Sequence, residues 1–273
     1  MRLLTLLLLL PACALAQAPE RVAPDVLATP RNETFPAIDP RTGDLWFSVY
    51  DRSFDAQTLM VARKSGETWV AATTAPFSGT HGDRAPRFSP DGRFLYFTSN
   101  RPEAGRQTGD LNIWVVERTE AGWAEPRLAA ELSTTERDMH NAPVADGAHY
   151  VASYREGGLG RADIWHVTAD GTAQALGAPL NDAGGQPDLW VSPDGTSMIL
   201  VVTEPAGWLG GDDLFVSEFR NGAWATPRLL PAPVNSEEYE YGPSVADGWL
   251  YFTSHRGGNA DTWRVPLSTL RAR

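Results

Sequence analysis

Cysteine, lysine and long apolar runs are scarce in this chain of 273 residues, and each scarcity excludes something. Cys13 is the only cysteine, so the body of the chain has neither a disulfide framework nor a thiolate for catalysis or metal binding, and its stability must come from packing. Lys64 is the only lysine, and the net charge is −11, or −12 without Arg2 and the rest of the N-terminal segment. So acidic a chain lacks the basic face that nucleic acids and anionic membranes require. Beyond residue 16 no segment approaches the roughly 20 apolar residues of a transmembrane helix. There is no Gly-x-Ser-x-Gly nucleophile elbow and no His-Glu-x-x-His helix. The five histidines, His81, His140, His149, His166 and His255, show no ligand spacing, so neither a metal nor another cofactor is expected. Calcium on an acidic loop such as Gly210-Gly211-Asp212-Asp213 fits the composition, but the signal is unspecific.

Residues 1–16 read as a signal peptide. Arg2 supplies the positive end, Leu3 to Leu10 an apolar run broken only by Thr5, and Ala14-Leu15-Ala16 a small-x-small cleavage site. Leu10-Pro11-Ala12-Cys13 also reads as a lipobox, with Cys13 as a lipid-bearing N-terminus. The expected location is therefore the periplasm or the exterior, with an envelope lipoprotein anchored through Cys13 as the alternative. Residues 17–23 read as a short linker and residues 24–273 as a single domain.

What is abundant is tryptophan (10 residues), glycine (25) and proline (21), a composition of short strands and many turns. These residues recur in register. Apolar strand, Pro/Asp/Gly turn and second apolar strand begin in turn at Phe35, Ala85, Ala142, Leu189 and Gly242. About ten residues after each second strand comes a bulky anchor: Met60, Trp114, Trp165, Phe215 and Trp263. The gaps between successive anchors are 54, 51, 50 and 48 residues. A period near 50 built of four short strands is that of a propeller blade, a sheet that must stack on its neighbours to bury both faces. The expected fold is therefore all-β, a five-bladed β-propeller. The fifth copy stops after its third strand, and Asp25 to Asn32 is similar to Arg228 to Asn235. Residues 24–30 are accordingly expected to complete the last blade and close the ring.

The pattern Pro-x-Phe-Ser-Pro-Asp-Gly, then Leu-Tyr-Phe-x-Ser-x-Arg, then an Ile-Trp or Leu-Phe pair, is densest in the second copy: Phe88-Ser89-Pro90-Asp91-Gly92, Ser99-Asn100-Arg101 and Ile113-Trp114. Over residues 24–270 it resembles the Pro-Asp-Gly repeat of TolB-like β-propellers, most of all the variety found beside OmpA-like domains in bacterial envelope proteins. The resemblance implies the fold and carries no activity, because the repeated residues are architectural.

Two sets of residues recur in or around the repeats. Arg101, Arg155 and Arg256 follow the second strands, and Asn112, Asp163, Asp213 and Asp261 precede the third. They are expected to form structural Arg–Asp pairs pinning each hairpin. The residues leading into each first strand differ between copies, and the resemblance implies that this strand lines a central channel. Glu33, Asp83, Arg84, His140, Asn141, Glu240 and Tyr241 are therefore the candidate ligand-binding residues, with Trp208 on a neighbouring loop. The expected function is a binding or scaffolding module for an envelope protein, a peptide or a glycan, without catalytic residues. The alternative is a glycoside hydrolase-like enzyme in which Glu33, Asp83 and Glu240 bracket the cleaved bond.

Overall fold

The computed structural model describes residues 17–271 except 28, 52, 55, 104–110, 183 and 204–210. The expected signal peptide at residues 1–16, with Cys13, and the candidate Trp208 fall outside the described residues. Among those described, no helix is long and apolar enough to cross a membrane. The chain forms five antiparallel sheets in sequence order, a β-propeller of five blades, as expected.

Blade one comprises Asn32–Ile38, Leu45–Tyr50, Thr58–Ser65 and Thr68–Thr74. Blade two has Asp83–Phe88, Phe94–Ser99 and Asn112–Thr119, with Gly122–Trp123 and Arg127–Leu128 both pairing the third strand. Blade three runs Asp138–Pro143, His149–Ser153, Asp163–Val167 and Ala173–Ala175. Blade four runs Leu189–Val191, Ser197–Val202 and Asp213–Arg220, followed by Ala223–Trp224 and Arg228–Leu229. Blade five runs Glu240–Ala246, Trp249–Ser254 and Asp261–Pro266.

The second strands are near-continuous apolar runs because both faces are covered. Each of the five seams between blades holds its own hydrophobic cluster. Trp46, Leu59 and Val61 meet Leu95, Phe97 and Trp114 between blades one and two. Ile199, Val201 and Leu214 meet Leu250 and Phe252 between blades four and five. The tryptophans fill these wedges edge-on, as Trp46 does against Phe88 and Trp123. The hairpin turns follow from their residues: Asp91 accepts from the backbone N–H of Arg93 at 2.9 Å, and Gly92 takes φ +65°.

Closure is as expected in kind and displaced in sequence. The outer strand of blade five is Glu20–Arg21, paired with Arg264 and Trp263. Residues 24–27 form a single helical turn instead. Pro24 has no N–H to give a ladder and is suited to the first position of a helix, and Asp25 follows in the first turn. The likeness of residues 25–32 to residues 228–235 belongs to the strap after the strand. Asn235 Oδ1 accepts from Leu214 N at 2.9 Å, and Asn32 Oδ1 accepts from Ala260 N at 3.1 Å, each tying its strap to the third-strand region of the same blade.

Candidate active site at the channel mouth

Each first strand begins in the same way. The N–H groups of Glu33, Asp83, Asp138, Gln186 and Glu240 each donate to a carbonyl just ahead of the third strand of the preceding blade: Ala260, Gln57, Leu111, Ala162 and Asp212. Two residues further on, the strand bulges and binds the neighbouring blade again. Phe35 N–H donates to Thr253 Oγ1 at 2.9 Å and Ala85 N–H to Ser48 Oγ at 3.0 Å. Gly242 N–H donates to Asp188 Oδ2 at 2.5 Å. Phe35, Ala85 and Gly242 all adopt positive φ at this bulge. Blade four thus presents a carboxylate, Asp188, where blades five and one use the hydroxyls of Thr253 and Ser48.

The head-of-strand acids are consumed by the blade architecture. Asp83 takes Arg101 at 2.7 Å and Ser99 at 2.6 Å. Asp138 takes Arg155 at 2.9 Å and Ser153 at 2.6 Å. Glu240 takes Arg256 at 3.1 Å, Ser254 at 2.6 Å and Ser236 at 2.6 Å. This corrects the expected pairing of the three arginines with Asn112, Asp163 and Asp261. The bulk of each second strand turns its following arginine inward, over Phe97, Trp165 or Phe252, toward the acid at the head of the first strand. Asp163 instead accepts from Gly160 N at 3.0 Å, Asp261 pairs with Arg21 at 2.5 Å, and Asn112 is buried. The expected carboxylate set of Glu33, Asp83 and Glu240 is corrected on the same ground for two of its members: Asp83 and Glu240 are held inside ion pairs, while Glu33 pairs with no arginine among the described residues and accepts from Thr29.

The channel mouth on the side of the strand heads holds a cup of about 330 Å³. Phe35, Tyr50, Phe54, Tyr239 and Tyr241 form its walls, and His140, Asp188, Asp212 and His255 supply its polar groups. Of the residues expected from the sequence, His140 and Tyr241 line it. Arg84 is buried beside it, its guanidinium over the Phe54 ring at 4.9 Å. Asn141 points elsewhere, bonding His149 at 3.1 Å within blade three.

The two carboxyl groups of the cup differ in environment. Asp188 accepts from Leu189 N–H at 2.8 Å and from Gly242 N–H, and pairs with Arg87 at 3.5 Å and His140 at 3.2 Å. Asp212 stands at the wall. Burial pushes its carboxyl up to about 6, against a hydrogen bond from Thr203, with the charges of Asp188 and Asp213 adding to the rise. The hydroxyls of Tyr50 and Tyr241 bond to each other, and burial drives Tyr241 well above its ordinary value. Burial also takes His140 down to about 4, opposed by Asp188 and assisted by Arg87 and Arg84. Among the described residues no group of three histidine, cysteine, aspartate or glutamate side chains converges as a metal site.

On the far side of the Arg87–Asp188–His140 layer the channel opens into a second cavity of about 470 Å³, lined by first-strand residues of all five blades such as Ile38, Pro143, Trp190 and Val245. Arg87 reaches from this cavity to Asp188, which belongs to the cup.

No family model and no curated protein matches the chain. Solved structures do. One described as a glycoside hydrolase is 11% identical, with 92% of this chain and 91% of that one covered at a TM-score of 0.56. A thermostable family-43 glycoside hydrolase is 13% identical, with 90% and 91% covered at a TM-score of 0.56. A puromycin-hydrolyzing peptidase of Mycobacterium tuberculosis is 19% identical, with 81% and 34% covered at a TM-score of 0.49. The chain spans about a third of the length of such peptidases. The expectation of a non-catalytic binding or scaffolding module is corrected by the whole-length matches, which favour the glycoside hydrolase alternative. The likeness itself is one of fold: this chain is a five-bladed β-propeller similar along its whole length to propeller glycoside hydrolases.

Proposed function

We propose that the chain is a glycan-cleaving hydrolase, with the aromatic cup as its sugar subsite and Asp212 as its general acid. The observation that carries this reading is the pair of carboxyl groups facing one cup in unlike environments. Asp212 is held protonated to about pH 6, and Asp188 is fixed among donors. Two carboxyls so separated are what glycosidic cleavage requires, one to protonate the leaving oxygen and one to hold negative charge near the oxocarbenium-like sugar. Tyr and Phe walls give the apolar face of a sugar ring something to stack on. The leader at residues 1–16 supports export to the envelope or beyond, and Pro90-Asp91-Gly92 and Pro193-Asp194-Gly195 support kinship with TolB-like propellers at the level of the blade.

The test is hydrolysis of a panel of oligosaccharides and aryl glycosides by the chain lacking residues 1–16. Activity in kcat/KM should fall as pH rises through about 6, because the acid must be protonated. Asp212→Asn should lower kcat by about 10²–10⁴ on oligosaccharides and far less on aryl glycosides with good leaving groups. Absence of hydrolysis across the panel overturns the reading.

A further inference from the structure

Asp188 is a poor place to look for the group that activates water. Its oxygens already meet the N–H groups of Leu189 and Gly242, the Arg87 guanidinium and the His140 ring. The ring next to it is differently placed. His140 Nδ1 lies 2.7 Å from the Pro187 carbonyl oxygen and 3.2 Å from Asp188 Oδ1, two acceptors, so Nδ1 carries the proton. That leaves Nε2 with its lone pair. Nε2 is buried and has no hydrogen-bond partner among the described residues, on a ring that lines the cup. Phe35 packs on the ring with centroids 4.9 Å apart, which fixes its plane. A buried acceptor without a partner is costly, so the site favours a bound O–H group.

We propose that His140 is the catalytic base of this cup, taking the proton of the attacking water at Nε2 while the Pro187 carbonyl holds Nδ1–H and the charge of Asp188 stabilises the imidazolium that forms. The proposal rests on the hydrolase reading above and adds a residue to it. The backbone carbonyl of Pro187 sets tautomer and orientation, and the Asp188 carboxylate beside it supplies the countercharge without itself becoming protonated. The water's oxygen bonds to the anomeric carbon as its proton passes to Nε2. The glycosidic C–O bond breaks with its electron pair on the leaving oxygen, which takes the proton of Asp212. The sum is one water added across one bond, and solvent then returns the imidazolium proton to Asp212. A single displacement by water inverts the anomeric configuration. The charged groups facing the ring are Asp188 from blade four and Arg87 and Arg84 from blade two. With the ring neutral above about pH 4 and Asp212 protonated below about pH 6, base and acid are both in their working forms between those values.

Three measurements decide it. Proton NMR of the first product formed by the wild type should show inversion, and retention would overturn the proposal. Nitrogen-15 NMR of the wild type should show His140 as the Nδ1–H tautomer. A protonated Nε2 at neutral pH would overturn the proposal even if no variant folds. His140→Ala should lose about 10²–10⁴ in kcat on oligosaccharides and aryl glycosides alike, with KM little changed. Sodium azide should restore turnover of the aryl glycoside and yield a glycosyl azide of inverted configuration. A folded variant within tenfold of wild-type kcat would show that His140 is not the base while leaving the hydrolase reading intact. A wild type that cleaves nothing removes both.

Discussion

Glu33 illustrates how a residue can be chemically conspicuous and still lie outside the site. It heads the first strand of blade one, where Asp83, Asp138 and Glu240 head theirs, but the partner position Tyr50-Asp51 offers no arginine like Arg101. Burial pushes its carboxyl up to about 7, a hydrogen bond from Thr29 works against this, and the charge of Asp261 adds to it. Because the folded value lies above the ordinary 4.5, the folded state holds more protons than the unfolded chain between those two pH values, and stability falls as pH rises through that window. Glu33→Gln is therefore expected to raise the melting temperature by a few degrees at pH 8 and to leave it near wild type at pH 5. Calorimetry at the two pH values checks both. The same position was legible in the sequence as a carboxylate at the channel, because its place in the repeat is visible, but whether an arginine folds over it is not. His140 and Tyr241 were legible as residues that vary where the repeat is otherwise regular. Asp188 was not, because the loop before the first strand of blade four differs in length from the others, which hides its place in the repeat. Asp212 stood out only as part of an acidic loop, since desolvation, which gives it its character, has no sequence signature.

The recurring element of the fold is the strap that joins the outer strand of one blade to the first strand of the next and is pinned by the second-strand end of that next blade. In blade two, Arg101 closes it, reaching Asp83, Ser99 Oγ and the Phe77 carbonyl from a position stacked on Phe97 and Trp114. Its side chain is 9% exposed and that of Asp83 is 0%. Removing one partner of such a pair leaves the other buried and uncompensated. Arg101→Ala is accordingly expected to cost about 3–5 kcal/mol in urea unfolding. Arg93→Ala, which breaks the pair with Glu117 at 56% and 44% exposure, should cost less than about 1 kcal/mol. Equal losses from the two would contradict the assignment of the straps. The arginines and aspartates were readable as a periodic set because each recurs at the same place in three blades. Their pairing was not, because acids flank each arginine on both sides in sequence, and only the inward turn of the second strand chooses between them.

At the scale of the whole molecule, the number of blades was the most legible quantity of all, since a five-times repeated hairpin and anchor leave little freedom in how the sheets are counted. The closing strand was legible in kind, because an unfinished last blade demands one, while its position at Glu20–Arg21 rests on a two-residue pairing too short to carry a pattern. What makes that short pairing effective is what surrounds it. Arg21 pairs with Asp261, Glu20 lies 2.6 Å from Arg264, and Val22 is buried with Leu45 and Phe47 at the seam of blades five and one. Removing residues 17–19 should leave the melting temperature unchanged. Removing residues 17–23 should lower it by on the order of 10 °C, if lost packing and the lost pair together amount to a few kcal/mol. Light scattering should also detect concentration-dependent association through the bared edge of Asp261–Pro266. The same closure dictates an order of assembly. The residues that complete the last blade are made some 240 positions before their partners. Blades one to four can form as local units while Glu20 and Arg21 wait without a partner, so the ring is the last thing to fold. Its rate is governed by how quickly the two ends of the chain find each other, which is a long-range search.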